Sequence, residues 1–149
     1  MKNRIFLVSC FLFGAGSIAA AASGPATTIV DLAAYDKVSY VSVTNVSDTE
    51  GKGTSTAPWA SILHALDKTR GRTAAILVAG GLYTEHSLQM QKGVHLYGGF
   101  DATDWSRDIR VHRTTIDAAG AGRVLIAADK STLDGFEITG GLILSLIHI

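Results

Sequence analysis

Short apolar segments that end at glycine residues dominate the sequence from residue 74 to residue 141. Residues 75–79 form a continuous apolar run before Gly80 and Gly81, which is typical of a strand buried on both faces. Further short segments follow, several of them alternating apolar and polar residues as half-buried strands do. These segments lie at residues 88–90, 94–96, 115–117, 124–127 and 132–138. Because no long helical pattern separates them, the pattern predicts a series of short strands.

One glycine-containing phrase recurs in altered form, as VHLYGGF at residues 94–100 and as STLDGFEITGG at residues 131–141. The recurrence favours a chain wound into a parallel β-solenoid, in which each full turn is one coil. The connections are too short for strand–helix–strand units, whose crossovers need about a dozen or more residues. Spacing alone also allows an antiparallel sandwich of short strands.

The segment before residue 74 predicts a strand, a loop and a helix. Residues 38–43 alternate as a half-buried strand does, and residues 45–56 are rich in Ser, Thr, Gly, Asp and Asn, which is typical of a loop. Thr56 is the expected N-cap of the helix, Pro58 lies in its first turn and Gly71 ends it. The apolar face comprises Trp59, Ile62, Leu63 and Leu66. Such a helix suits the exposed first coil of a solenoid, which needs a terminal cap.

The N-terminal 22 residues predict a secretory signal peptide. Lys2 and Arg4 precede an apolar stretch at residues 5–15, and small residues at 19–23 allow cleavage before Ser23. The apolar stretch is shorter than the roughly 20 residues that a transmembrane helix needs. We therefore expect export to the periplasm, the cell surface or the medium of a bacterium, no stable membrane span in the mature chain, and a leader at residues 23–37.

Cysteine content and charge limit the chemistry of the mature chain. Cys10 is the only cysteine; it ends a phrase, LVSC, that resembles a lipoprotein box, but cleavage there would leave a very short apolar stretch. Removal of residues 1–22 leaves no cysteine and no disulfide. Without Lys2 and Arg4 the chain keeps 11 of 13 basic residues against 13 acidic ones, a net charge of −2. This balance argues against nucleic acid as a partner.

From Tyr40 to Gly141 the sequence resembles the start of a secreted right-handed parallel β-helix protein of the pectin-lyase-like superfamily. The matching phrases, in order, are YVS at 40–42, APWASI at 57–62, ILVAGGLY at 76–83, VHLYGGF at 94–100, TTID at 114–117 and DGFEITGG at 134–141. The resemblance implies an all-β solenoid with an amphipathic N-terminal capping helix and two to three coils within residues 38–143. It also implies polysaccharide as the partner class.

The last residues suggest that the solenoid is truncated at its C-terminus. Residues 141–149 are apolar, whereas the last coil of a solenoid needs a polar cap. The phrase LSLIHI at residues 144–149 also resembles the translated end of a transposon-type sequencing adapter. We therefore expect the native sequence to stop near Ile143, residues 144–149 to be a non-native tail, and the exposed edge to self-associate.

Residues 101–113 hold the densest group of charged side chains, including Asp101, Asp104, Asp108, Arg107, Arg110, His112 and Arg113. Carboxylates in a loop can bind Ca²⁺, which takes six to eight oxygen ligands, and the resemblance allows calcium in the complete protein. Here basic residues balance the acidic ones and the spacing of a calcium loop is absent. The expectation is therefore a solvated loop with local ion pairs, and no residue is assigned to a cofactor or metal.

Other candidate residues have simpler interpretations. Residues 51–54, GKGT, lack the spacing of a phosphate loop. Carboxylate pairs can hydrolyse glycosides, but single aspartates beside glycine usually form turns. The carboxylates in question are Asp117, Asp134 and Glu137, and the histidines without a spaced metal partner are His64, His86, His95 and, in the tail, His148. Among aromatic residues that could stack on sugars, packing is expected for Tyr83, Tyr97 and Phe100, and exposure for Trp105.

The sequence thus predicts the N-terminal cap and early coils of an exported β-helix protein that binds or processes polysaccharide. By the resemblance, the complete protein would be a lyase or hydrolase whose catalytic residues, unknown here, lie in later coils, and this segment alone would be inactive. The alternative is a surface adhesin or autotransporter-like passenger with a structural role.

Overall fold

The computed structural model describes residues 29–44 and 47–142. The predictions for the signal peptide, for Cys10 and for the tail therefore concern residues outside the described part. The helices are the 3-10 helix Leu32–Ala34 and the α-helix α1, Ile62–Lys68. The strands are β1 (Lys37–Val41), β2 (Ala74–Ala79), β3 (Gly81–Tyr83), β4 (Leu88–Gln89), β5 (Val94–Phe100), β6 (Thr114–Asp117), β7 (Leu125–Ile126), β8 (Thr132–Asp134) and β9 (Phe136–Thr139).

The strands form three sheets, in which all neighbouring strands are parallel. The strand orders are β1-β2-β5-β8, β3-β6-β9 and β4-β7. Strands β2, β3 and β4 lie in three different sheets, and β5, β6 and β7 lie in the same sheets in the same order. The prediction of a β-rich parallel fold with little helix is confirmed, and an antiparallel sandwich is excluded for the described residues.

Apolar side chains of successive strands lie beside one another in the interior. Tyr83 pairs with Ile116, which pairs with Ile138, and in another sheet Leu88 pairs with Leu125. The exposed fraction along the first row is 2% for Tyr83, 0% for Ile116 and 46% for Ile138. The interior is therefore closed around the earlier strands and open, among the described residues, beside β9.

Strand β2 is buried on both faces, as its continuous apolar run predicts. One face contributes Ile76 and Val78 to the main core. The opposite face, with Ala75 and Leu77, forms a second cluster outside the stack of sheets. Phe100 of β5 belongs to the same cluster. The partly buried residues that pack against the cluster are Val30, Leu32, Tyr35, Val38, Tyr40, Tyr97 and Trp105. The described part of the leader, from residue 29, thus packs against the four-stranded sheet.

Helix α1 begins later than predicted. Ser61 is its N-cap, in extended conformation, and its hydroxyl accepts a hydrogen bond from the His64 N–H at 3.2 Å. Trp59 instead continues the sheet, because its N–H donates to the Tyr40 carbonyl at 2.9 Å. The predicted N-cap, Thr56, therefore lies in the loop before the helix.

Two carboxylates from distant positions satisfy the first N–H groups of the helix segment. Asp48 accepts hydrogen bonds from the N–H groups of Ala60 at 2.7 Å and Ser61 at 3.0 Å. Glu85, in the connection from β3 to β4, accepts from Ile62 and Leu63, both at 2.8 Å. Because helix N-termini lack internal partners for these groups, the two side chains fix α1 against the strands.

The pKa values of these two carboxyl groups are shifted in opposite directions from their ordinary values. Burial raises the pKa of Glu85, although the N–H groups of Ile62 and Leu63 partly oppose the change. For Asp48 burial acts in the same upward sense, but hydrogen bonds from Ser61 and Ala60 outweigh it and lower the pKa. In the described ranges, no helix has the length and apolar character needed to cross a membrane.

Candidate functional site

The acidic side chains of the 101–113 loop are engaged by the loop backbone. Asp101 accepts a hydrogen bond from the Thr103 N–H at 2.6 Å, Asp104 from the Ser106 N–H at 2.8 Å, and Asp108 from Arg110 at 2.9 Å. Such bonds are typical of aspartates that form turns. Among the described residues no group of three or more acidic, histidine or cysteine side chains is placed to hold a metal ion. The three loop carboxylates thus act as acceptors in turns of the loop.

Arg107 folds this loop back onto the four-stranded sheet. Its Nε donates to the Gly98 carbonyl and its Nη2 donates to Asp134 Oδ2, both at 2.9 Å. Its guanidinium carbon lies 5.7 Å from the centre of the Tyr97 ring and 5.6 Å from that of Phe100. The Arg107 side chain is only 4% exposed, whereas Asp134 is 42% exposed. Arg107 thus anchors the loop to both β5 and β8, and its ion-pair partner lies outside the loop, whereas the sequence predicted ion pairs within it.

Trp105 is partly buried, in contrast to its predicted exposure. Its ring meets that of Tyr40 edge to face, with centroids 4.7 Å apart and planes inclined at 70°. Its indole N–H donates to the Ser55 carbonyl at 3.0 Å. Its backbone has a φ of +59°, a left-handed conformation that bulky residues rarely adopt. Trp105 thus packs against the second cluster on the outer face of the sheet, although its polar neighbours in the sequence predict exposure to solvent.

A cavity of about 260 Å³ lies beside Trp105 on the outer face of the sheet. Tyr40, Leu77 and Phe100, from β1, β2 and β5, contribute to its lining. Arg107 and the leader residues 29, 30 and 32 complete the lining. We refer to this cavity as the Trp105 pocket. It combines two aromatic side chains of the sheet, Tyr40 and Phe100, with Trp105 from the loop. A lining dominated by apolar and aromatic side chains is the general composition of small-ligand sites.

A second aromatic group lies on the same outer face. The hydroxyl groups of Tyr35 and Tyr97 are 2.7 Å apart, and the rings of Tyr35 and His95 meet edge to face with centroids 5.2 Å apart. His95 Nδ1 lies 2.9 Å from the Thr132 hydroxyl of the next strand. Burial, together with the Tyr97 hydroxyl, raises the pKa of Tyr35 to about 12. The alternation of residues 94–97 places His95 and Tyr97 on one face, but nothing in it indicates the contribution of Tyr35.

The remaining candidates each have a contact of their own. Asp117 accepts a hydrogen bond from the Ala119 N–H at 2.8 Å, as a turn-forming aspartate does. Glu137 forms an exposed ion pair with Arg113 at 3.5 Å. Tyr83 is a core residue whose hydroxyl donates to the Ala79 carbonyl at 3.0 Å. Asp117 and Glu137 lie on the neighbouring strands β6 and β9, two positions apart in register, but they bond to different partners.

The histidines and the glycine loop likewise have structural surroundings. His64 packs its ring edge to face on Trp59 at 5.3 Å, and His86 lies 3.3 Å from the Ser87 hydroxyl. In the GKGT segment, the Lys52 N–H donates to the Ala57 carbonyl at 2.8 Å, which makes a local turn. Of the sequence candidates, Trp105, Phe100 and Arg107 line the Trp105 pocket. Two further cavities are lined by candidates from the charged loop, one by Arg113 together with Glu137 and the other by Asp101, His112 and Arg113.

Comparison with protein-family models, curated proteins and solved structures found no significant match to this chain. The functional proposal therefore rests on the sequence phrases and the geometry of the chain itself.

Proposed function

We propose that this chain forms the N-terminal cap and first coils of a right-handed parallel β-helix in an exported protein that binds or processes polysaccharide. The observation that carries the proposal is the strand order. Strands β5, β6 and β7 return to the sheets of β2, β3 and β4 in the same sequence, and β8 and β9 begin a third return. A chain wound into coils adds one strand to each sheet in every turn, so this order is the one that winding requires.

The surroundings of β1 support the role of cap. The free edge of β1 is bonded to the following loop, since the Tyr40 N–H donates to Gly53 at 3.1 Å and the Ser42 N–H donates to Trp59 at 2.8 Å. Helix α1 packs against β1, β2 and β4 with Ile62, Ala65 and Leu66 buried. Covering the first coil in this way is what the terminal unit of a solenoid must do.

The opposite end of the stack supports the continuation into further coils. Ile138 pairs with fully buried Ile116 yet is itself 46% exposed, and Leu142 is 50% exposed. A further coil would cover these side chains and pair with the open backbone edges of β8 and β9. We therefore propose that a further coil packs against β8 and β9.

The polysaccharide role follows from the resemblance of the sequence phrases to the pectin-lyase-like superfamily, together with the aromatic outer face of the four-stranded sheet. We assign the catalytic residues of the complete protein to coils beyond residue 142, so this segment alone is inactive. By the same resemblance, we assign any calcium site of the complete protein to those later coils. Export would depend on residues 1–22.

The reading frame in the source DNA tests this proposal. The expected result is a continuation past codon 143 into further short strands with Asp, Lys or Arg clustered on one strand face. A long series of uniform coils followed by a sorting or outer-membrane domain would support the adhesin alternative instead. A stop codon directly after codon 143, without adapter sequence, would contradict the proposal.

A further inference from the structure

The Trp105 pocket contains a strained aromatic residue that the fold holds in place from two sides. The left-handed backbone of Trp105, with φ of +59°, is fixed by its N–H, which donates to the Asp101 carbonyl at 3.2 Å. The indole N–H is fixed by the Ser55 carbonyl at 3.0 Å. Strained backbone that the surroundings maintain often belongs to a ligand site. The ring is thus positioned before any ligand arrives.

The pocket also offers a hydroxyl group without an internal partner. Within residues 29–44 and 47–142, the Tyr40 hydroxyl makes no hydrogen bond, although its ring is packed edge to face on Trp105 at 4.7 Å. A phenol hydroxyl both donates and accepts hydrogen bonds. Aromatic walls with a few placed polar groups are the usual means by which a pocket orients a small ligand.

The size of the pocket limits the ligand to one ring. A cavity of about 150 Å³ holds a benzene molecule, so a cavity of about 260 Å³ holds one six-membered ring with substituents. The faces of aromatic rings carry negative potential and attract the weakly positive C–H groups of a partner. A pyranose ring combines such C–H faces with hydroxyl groups at its edge. The pocket therefore suits a sugar ring better than a purely apolar ring.

We propose that the Trp105 pocket binds one pyranose residue of a polysaccharide, with Trp105 as the stacking platform and the Tyr40 hydroxyl as a hydrogen-bonding partner. This inference deepens the proposed function and rests on its assignment of polysaccharide as the partner class. It assigns binding to the outer face of the first coils, apart from any catalytic residues in later coils.

Calorimetric titration of the purified full chain with cellohexaose, laminarihexaose and hexagalacturonate tests the inference. The proposal expects saturable binding of at least one of these sugars, a loss of about tenfold or more in affinity for Trp105→Ala, and a smaller loss for Tyr40→Phe. Trp105→Phe keeps an aromatic platform and should retain most of the affinity. Leu82→Ala, at an exposed position on β3, is the matched control and should bind as the wild type does.

Circular dichroism and melting curves verify that each variant is folded, and Trp105→Phe decides the question if Trp105→Ala unfolds. Binding that persists unchanged in a folded Trp105→Ala chain would overturn the pocket assignment and leave the proposed function standing. No binding of any of the three probes by the wild type would also overturn it. The proposed function would then still be decided by the reading frame.

Discussion

Replacement of Gly135 by alanine should destabilise the fold much more than the same replacement at Gly120. Gly135 connects β8 to β9 with φ of +80°, and an added Cβ would lie 2.7 Å from the Gly98 carbonyl oxygen of β5 and 2.8 Å from Arg107 Nη2. Gly120 has a similar φ of +74°, but nothing lies within 4 Å of its added Cβ. An alanine at either position would thus have a strained backbone, but only an alanine at position 135 would also clash with neighbouring atoms.

The loss in the free energy of unfolding can be estimated for each variant from these contacts. A left-handed alanine costs about 1–2 kcal/mol, of which roughly 0.4–1 kcal/mol is offset because alanine restricts the unfolded chain. Gly120→Ala should therefore lower the free energy of unfolding by about 1 kcal/mol. At Gly135 the forced shift of packed strands adds roughly 1–3 kcal/mol. Gly135→Ala should thus cost about 2–4 kcal/mol in total.

Urea unfolding at 25 °C, followed by circular dichroism and tryptophan fluorescence, measures both values. The comparison requires equal slopes against urea concentration, so that only the midpoint differs. Costs for the two variants that agree within about 0.5 kcal/mol would refute the close approach of β5 and the β8–β9 corner.

Three further predictions concern buried polar groups, and the same urea titration measures each of them. Arg107→Met removes the hydrogen bonds to Gly98 and Asp134 from a 4% exposed side chain and should cost about 2–4 kcal/mol. Asp134→Asn, at a 42% exposed partner, should cost about 1 kcal/mol or less. Equal costs would contradict the anchoring role of the arginine. Ser39→Ala should stabilise the fold by about 1 kcal/mol, because the fully buried Ser39 hydroxyl has no described hydrogen-bond partner, and a loss of stability would indicate a partner. The raised pKa of Glu85 means that its contribution to stability is present below the ordinary value of 4.5 and is lost as pH rises through the raised value. The lowered pKa of Asp48 means that its contribution is present above 3.8 and is lost as pH falls through the lowered value. Titrations across acid to neutral pH should therefore give opposite slopes for the wild-type advantage over Glu85→Gln and over Asp48→Asn, and parallel slopes would contradict the assignment.

Strand positions were predictable from the sequence where burial is continuous or strictly alternating. The apolar run before Gly80 predicts β2, and the alternation at 94–96 predicts the first part of β5. The start of α1 was not predictable, because Trp59 and Ile62 are both buried in the main core and helical spacing cannot distinguish them. The bond from the Trp59 N–H to Tyr40, which places Trp59 beside β1, depends on tertiary contact.

The outer-face site was predictable only in part. Trp105 stands in a polar segment, so local composition predicts exposure, whereas its burial depends on Tyr40 and Phe100 from distant strands. The loop was expected to hold local ion pairs, whereas its aspartates accept hydrogen bonds from nearby backbone N–H groups. Arg107 and Arg113 both pair with carboxylates far along the chain, Asp134 and Glu137, which local charge patterns do not indicate.

Disulfide trapping tests the central claim, the parallel register of successive strands, most directly. Thr115 of β6 pairs with Glu137 of β9, so cysteines at these positions would have Cα atoms about 5 Å apart, within the range of a disulfide. Thr139 pairs with Asp117 instead, so cysteines at 115 and 139 would be about 8 Å apart, beyond that range. In a Cys10→Ser background, the parallel register predicts that mild oxidation joins 115 to 137 and leaves 115 and 139 free. Efficient joining of 115 to 139, or failure to join 115 to 137 in a folded chain, would contradict it.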